Sequence, residues 1–236
     1  MKTLTIKLSA PLQAYGNEAS FERRTSWQAP SKSAVIGMIA AALGLRRDSE
    51  QISELNSLAF AVRIDQPGKI MTDFHTVEWK KDKRKLTYRD YYQDAVYVVA
   101  IGSENERCID QIQYALLHPR FQLYLGRRAC PPAGVLQTKC YEMTNPVQVL
   151  EQLSWQAEIW YQKKHAKDEN YTTSIIADAE LLPNANYTQT QKDLVKSFSS
   201  KDRQFGFRVI TKKRIRLKNP CYVASEVKEH DIMGCL

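Results

Sequence analysis

The chain has 236 residues, 43% of them hydrophobic and 25% charged, with a formal net charge of +8, so it can bury one large core and favours polyanionic partners. The longest apolar stretch, Ala34 to Leu45, falls well short of the ~20 residues a bilayer span needs, so no membrane partner is expected. Five cysteines (Cys108, Cys130, Cys140, Cys221 and Cys235) are odd in number and form no C-x-x-C pair, which speaks against a zinc site or a disulfide framework; a reducing cytoplasm is the expected location, with no metal or other cofactor.

Leu4, Ile6 and Leu8 alternate with Thr3, Thr5 and Lys7, the period of a half-buried first strand. A polar and aromatic loop, Pro11 to Ala29, follows. Pro30-Ser31-Lys32-Ser33 then offers caps to a helix running to about Leu43, with Gly44 as its stop. Leu58 to Asp65 predicts a second strand, broken by Gln66-Pro67-Gly68, and Ala95 to Ile101 a buried third. Glu104 to Leu117 has helical spacing at Ile109, Ile112 and Leu116, with Pro119 just beyond it. Phe121 to Leu125 predicts a short fourth strand.

Strand, helix, strand, strand, helix, strand is the ferredoxin-like, RNA-recognition-motif-type topology of an α+β fold, here over residues 1–125. The long polar excursion 66–93 interrupts it, and compact domains rarely carry such a loop without a use for it. Residues 126–236 predict a small β-rich elaboration packed on the first part. Asn145-Pro146 opens a short helix to about Leu153, and Trp155 to Tyr161 and Phe205 to Ile210 predict strands. Lys163 to Asn170 and Asn184 to Gln191 predict loops.

Four segments carry candidate chemistry. The excursion holds Lys80, Lys81, Lys83, Arg84, Lys85 and Arg89 interleaved with Phe74, Trp79, Tyr88, Tyr91 and Tyr92. Cations neutralise phosphates and rings stack on unpaired bases, so this mixture suits single-stranded RNA; the plainer alternative is a solvated charged hairpin. Tyr124-Leu125-Gly126-Arg127-Arg128 places a glycine that permits close backbone approach before two guanidinium forks, or is simply a turn with surface arginines. In the loop after the first strand, Gln13 and Tyr15 are candidates to read and stack bases. A C-terminal run from Lys201 to Lys218, including Arg203 and Arg208, is either a solvated face or a groove lining.

Catalytic signatures are thin. His75, His118, His165 and His230 match no metal-binding spacing, and there is no Walker loop, G-x-S-x-G or paired-carboxylate motif. Only His75, in Asp73-Phe74-His75-Thr76-Val77, sits where a metal-independent ribonuclease could place a base. No catalytic residue is therefore assigned.

Taken together and in order, several pieces resemble the CasD-type subunits of type I-E CRISPR Cascade complexes, within the RAMP superfamily. They are Leu12-Gln13-Ala14-Tyr15-Gly16, Pro30-Ser31-Lys32-Ser33, Leu43-Gly44-Leu45-Arg46-Arg47-Asp48 and Asp73-Phe74-His75-Thr76-Val77. Arg89-Asp90-Tyr91-Tyr92-Gln93-Asp94-Ala95, Pro119-Arg120-Phe121 and Tyr124 to Pro131 complete the set. The match covers about residues 4–150 and returns over Phe198 to Ile210.

The resemblance implies a ferredoxin-like palm with 66–93 as an inserted β-hairpin thumb. It implies a non-catalytic subunit that holds the 5′ handle of the guide RNA (crRNA). The neighbours it implies are the backbone subunit CasC and the large subunit CasA, with target DNA met only indirectly through the complex. RNA contacts are expected at Gln13, Tyr15, Lys32, Ser33, Arg46, His75, Lys80, Lys81, Arg89, Tyr91, Arg120, Gly126, Arg127 and Arg128. A related type I-C family cleaves its own guide precursor, so a repeat-RNA endoribonuclease is the alternative. The third strand lacks the aromatic K/R-G-F-G-F pattern, which moves the expected grip from the sheet face to the loops and thumb.

Overall fold

A computed structural model describes residues 1–17, 22–185 and 187–224. His230 and Cys235 lie outside the described residues.

The framework is a seven-stranded antiparallel sheet among the described residues. In chain order its strands are β1 (Lys2–Ser9), β2 (Ala59–Gln66), then, after a hairpin of β3 (Lys69–Lys80) and β4 (Lys83–Gln93) that stands apart from the sheet, β5 (Val96–Ser103), β6 (Gln137–Tyr141), β7 (Asn170–Asp178), β8 (Thr188–Ser197) and β9 (Gln204–Lys218). Their spatial order is β6-β1-β5-β2-β7-β9-β8.

Helices cover both faces. On one side lie α1 (Lys32–Leu43) and α2 (Glu106–Leu117), packed on Leu4, Ile6, Leu8, Phe60, Val62, Val99 and Ile101. On the other, α3 (Pro146–Gln152) packs Val147 and Leu150 against Ala61, Val98, Ala100, Ile175 and Ala177. The period-two alternation of the strands supplies an apolar residue to each layer in turn.

Helix starts are set by capping chemistry. The Ser31 hydroxyl accepts from the Ala34 N–H, the Asn105 side chain from Cys108 N–H, and Asn145 with Gln148 closes a capping box before α3. Helix α1 stops at Gly44, which takes φ +80 while Leu45 N–H returns to the Ala40 carbonyl at 2.8 Å.

Three sequence expectations are corrected. Phe121 to Leu125 is not a strand. Its Leu123 and Leu125 do bury, but its backbone bonds turn toward α1 and the loop after β1: Phe121 N–H donates to Ala41 O, and Ala14 N–H to Leu125 O. The sheet edge beside β1 is taken by β6 instead. Trp155 to Tyr161 is likewise not a strand, because Trp155 Nε1 and Gln156 N–H are held by Asp65, and a helix begins at Ile159. Finally, Asn184 to Gln191 is not all loop: Thr188 opens β8 by pairing with Thr211.

Arg63 and Asp65 fix the rear of the sheet. Both are wholly buried and form a two-pronged pair at 2.7 Å, and the remaining Arg63 N–H groups reach the carbonyls of Leu150, Leu153 and Ser154. All five donors of the guanidinium are thereby used, which is the condition for burying one.

Candidate nucleic-acid interface

Helix α1 buries Val35, Ile36, Met38 and Ile39 on the sheet and turns Ser33, Ala34, Gly37 and Ala41 outward. That outward face floors a groove of about 980 Å³. One wall is the irregular segment after α2, with Phe121, Gln122, Tyr124 and the Gly126–Arg128 turn; the other is Phe198, Arg203 and Phe205 at the β8–β9 connection. Arg46 and Arg47, just past the helix end, complete the rim.

Five arginines (Arg46, Arg47, Arg127, Arg128 and Arg203) line this groove, and no aspartate or glutamate is among its described lining residues. Arg203 lies over both flanking rings, 5.7 Å from the Phe198 centroid and 5.9 Å from that of Phe205. Its guanidinium sits below the usual arginine range because it is partly desolvated and because the Arg47 charge is close by. Unneutralised like charges around an open groove make a receptor for anions.

Of the expected contacts, Tyr15, Ser33, Arg46, Gly126, Arg127 and Arg128 meet at this groove. Their roles differ from expectation in several cases. Gln13 is fully buried: its amide donates to the Ala95 carbonyl at 2.7 Å, and its oxygen accepts from the Tyr15 hydroxyl at 2.6 Å. Tyr15 itself is 2% exposed. Neither side chain is free to read a base; the pair secures the loop that borders the groove.

Gly126 does permit a close backbone approach, but the approaching backbone is the protein's own. It has φ +93, and a β-carbon there would stand 1.7 Å from the Ala14 carbonyl oxygen. Arg127 is largely occupied internally: it donates to the carbonyls of Asp90 (2.9 Å) and Arg24 (2.7 Å) and covers the Tyr91 ring at 4.8 Å. Tyr91 is 3% exposed and serves as that platform. Arg128 is exposed and reaches no such partner among the described contacts.

Lys32 lies elsewhere, in a buried four-charge network. Its ammonium contacts Asp178 at 3.2 Å, and its N–H donates to Asp193 at 2.8 Å. Arg208 binds both carboxylates at 2.6–2.9 Å. Burial lowers the Lys32 pKa, with Asp178 opposing. The network anchors the start of α1, and so the groove floor, rather than facing a ligand.

The hairpin β3–β4 carries the remaining candidates. Lys80 and Lys81 are exposed at its tip with Lys83, Arg84 and Lys85, and Phe74 opposes Tyr88 on one face. His75 is half-exposed and contacts Asp73 at 2.7 Å, while Arg89 faces Asp73 across the ladder. The hairpin root is held along the edge of β4 opposite β3, by Leu12–Gln13 at Tyr92–Gln93 and by Arg23–Arg24 at Tyr88–Arg89. Arg120 is exposed at the end of α2, its backbone bonded to Ala42.

Reading the sequence alone left out Phe121, Phe198, Phe205 and Arg47 as contacts, although each lies in a stretch it marks as meaningful, and it left Arg203 between a solvated face and a groove lining. What it lacks is the fold that brings residues 198–205 against the end of α1.

The family model described as "CRISPR-associated protein (Cas_Cas5)" matches residues 3–210. The chain belongs to this family. The family is the one the sequence motifs resembled. A curated relative, the CRISPR system Cascade subunit CasD of Escherichia coli (strain K12), is 31% identical over 171 residues, or 62% of this chain and 75% of that protein. A chain of a CRISPR RNA-guided surveillance complex superposes with a TM-score of 0.72 at 27% identity, covering 94% of this chain and 93% of its own length. A crystal structure of a Cas protein gives 0.67 at 25% identity, covering 94% and 98%. For this Cas5-family chain the match spans both groove walls, since residues 121–128 and 198–205 fall inside the matched region.

Among the described residues no His, Cys, Asp and Glu cluster could hold a metal ion, and no helix is long and apolar enough to cross a membrane.

Proposed function

We propose that this chain is a non-catalytic subunit of a Cascade-type surveillance complex that holds the 5′ handle of the guide RNA. The observation that carries this reading is the arginine-rimmed groove beside the hairpin root, with no acidic side chain among its described lining residues. Phosphates find cations there, and unpaired bases find aromatic walls. The relatives named above support the setting: one is a Cascade subunit, the other part of an RNA-guided complex.

In this reading residues 1–125 form a ferredoxin-like palm. The order β6-β1-β5-β2 is that of the ferredoxin-like sheet once β6 serves as its fourth strand, which supports the palm while extending its ladder past residue 125. The hairpin within 66–93 is the thumb, and its cationic tip faces RNA. Residues 126–236 elaborate the palm. CasC and CasA are its protein neighbours, target DNA is met only through the assembled complex, and the compartment is the cytoplasm.

The competing reading, a metal-independent endoribonuclease, rests on the 2.7 Å contact between His75 and Asp73 with Arg89 opposite. Purifying the tagged chain after co-expression with CasC- and CasA-type subunits and a repeat-bearing transcript tests the first reading. Stoichiometric guide RNA and both subunits should co-purify. Specific repeat cleavage by the chain alone in chelator, abolished by His75→Ala, would establish the nuclease instead.

A further inference from the structure

We propose that the groove takes one unpaired nucleotide, its base laid on the α1 face between Phe121 and Phe198 and its flanking phosphates bound by Arg47 and Arg203. This rests on the RNA-holding reading above and assigns its mode of contact.

The outward face of α1 at Ala34, Gly37 and Ala41 carries nothing longer than a methyl group and opens directly into the groove. A helix face of this kind normally presents polar side chains to water; here it presents a flat apolar bed. Phe198 rests on that bed, since a β-carbon on Gly37 would lie 3.5 Å from its ring. Phe121, 48% exposed, borders the opposite side.

Arg203 is spread across Phe198 and Phe205, which pre-orients a guanidinium without using up its hydrogen-bond donors on carboxylates. Arg47 is near enough for its charge to oppose that of Arg203. A phosphate at each guanidinium relieves the repulsion. The bed against the base is hydrocarbon, so contact is by stacking and selects no particular base.

Fluorescence anisotropy on the full chain tests this, using end-labelled short single-stranded RNA homopolymers (adenylate, uridylate, cytidylate) and an abasic ribose-phosphate oligomer of equal length. The homopolymers should bind within about threefold of one another, and the abasic strand about tenfold more weakly. Phe121→Ala should weaken the base-bearing strands about tenfold and leave the abasic strand unchanged. Arg47→Ala with Arg203→Ala should weaken all four and reduce the slope of log affinity against log salt by about 1.4. Equal effects of Phe121→Ala on abasic and base-bearing strands, or an unchanged slope in the arginine pair, would overturn the nucleotide subsite while RNA binding stands. If no strand binds the unaltered chain even at low salt, the RNA-holding reading fails along with the subsite.

Discussion

Gly126 and Ala14 meet backbone to backbone: a β-carbon on the glycine would stand 1.7 Å from the alanine carbonyl oxygen, and Ala14 N–H donates to the neighbouring Leu125 carbonyl at 3.2 Å. The turn that bears Arg127 and Arg128 is thus pressed onto the loop that follows β1. Gly126→Ala adds both that overlap and a left-handed φ of +93. A loss of about 3 kcal/mol is expected, which lowers the unfolding midpoint by roughly 6–12 °C for a chain of this size. A thermal melt within a degree of the unaltered chain would show that the turn yields freely.

Arg127 and Arg128 are adjacent yet should behave differently on mutation. Arg127 ties the Gly126–Arg128 turn to the hairpin root through Asp90 O, Arg24 O and the Tyr91 ring. Arg127→Ala should raise amide exchange across residues 88–92 with little change in the salt slope of RNA binding. Arg128→Ala should leave exchange alone and reduce that slope by about 0.7. Hydrogen-exchange mass spectrometry paired with salt titrations separates the two; identical profiles for both variants would contradict the assignment.

Asp193 neutralises Arg208 through two bonds of 2.9 and 2.7 Å and also receives the Lys32 N–H. Burial alone would lower the Arg208 pKa, but the hydrogen bonds and charges of Asp193 and Asp178 outweigh it and raise it. Asp193→Ala leaves a buried guanidinium half-paired, at a cost of about 3–5 kcal/mol. Denaturant unfolding should show this as a shifted midpoint. A loss under about 1 kcal/mol would mean water reaches the network readily.

Burial raises the phenol pKa of Tyr15 and Tyr97, with each further raised by a neighbouring tyrosine, Tyr97 and Tyr92 respectively. In the unfolded chain these phenols ionise near 10, while the folded chain keeps their protons, so they stabilise the fold fully below pH 10 and lose that contribution as pH rises beyond it. Alkaline titration followed at the tyrosinate absorbance should show a cooperative step coincident with loss of circular dichroism. A smooth, complete titration of all tyrosines with the fold intact would refute their burial.

The local grammar of the chain was readable where one element decides its own fate. Ser31 and Asn145 cap helices, Gly44 ends one, and Leu4, Ile6 and Leu8 point to one core. Phe121 to Leu125 misled because burial of Leu123 and Leu125 looks alike whether the backbone bonds to a sheet or to α1 and the Ala14 loop. The candidate site was legible only in part for a related reason. Lys32, Gln13 and Tyr91 have the right chemistry for RNA, but partners distant in sequence (Asp178, Ala95 and Arg127) claim them. Phe198 was hidden, and the role of Arg203 left open, because the residues beside them in the groove lie some hundred and fifty positions earlier, at Gly37 and Arg47.

Ultraviolet crosslinking of a reconstituted complex, with peptides identified by mass spectrometry, tests the central claim most directly. With photoreactive uridines along the guide, the 5′ handle should crosslink to peptides containing Phe121–Arg128 and Phe198–Phe205 of this chain. Handle crosslinks that map only to other subunits, or guide crosslinks on this chain that avoid both groove walls, would contradict the account.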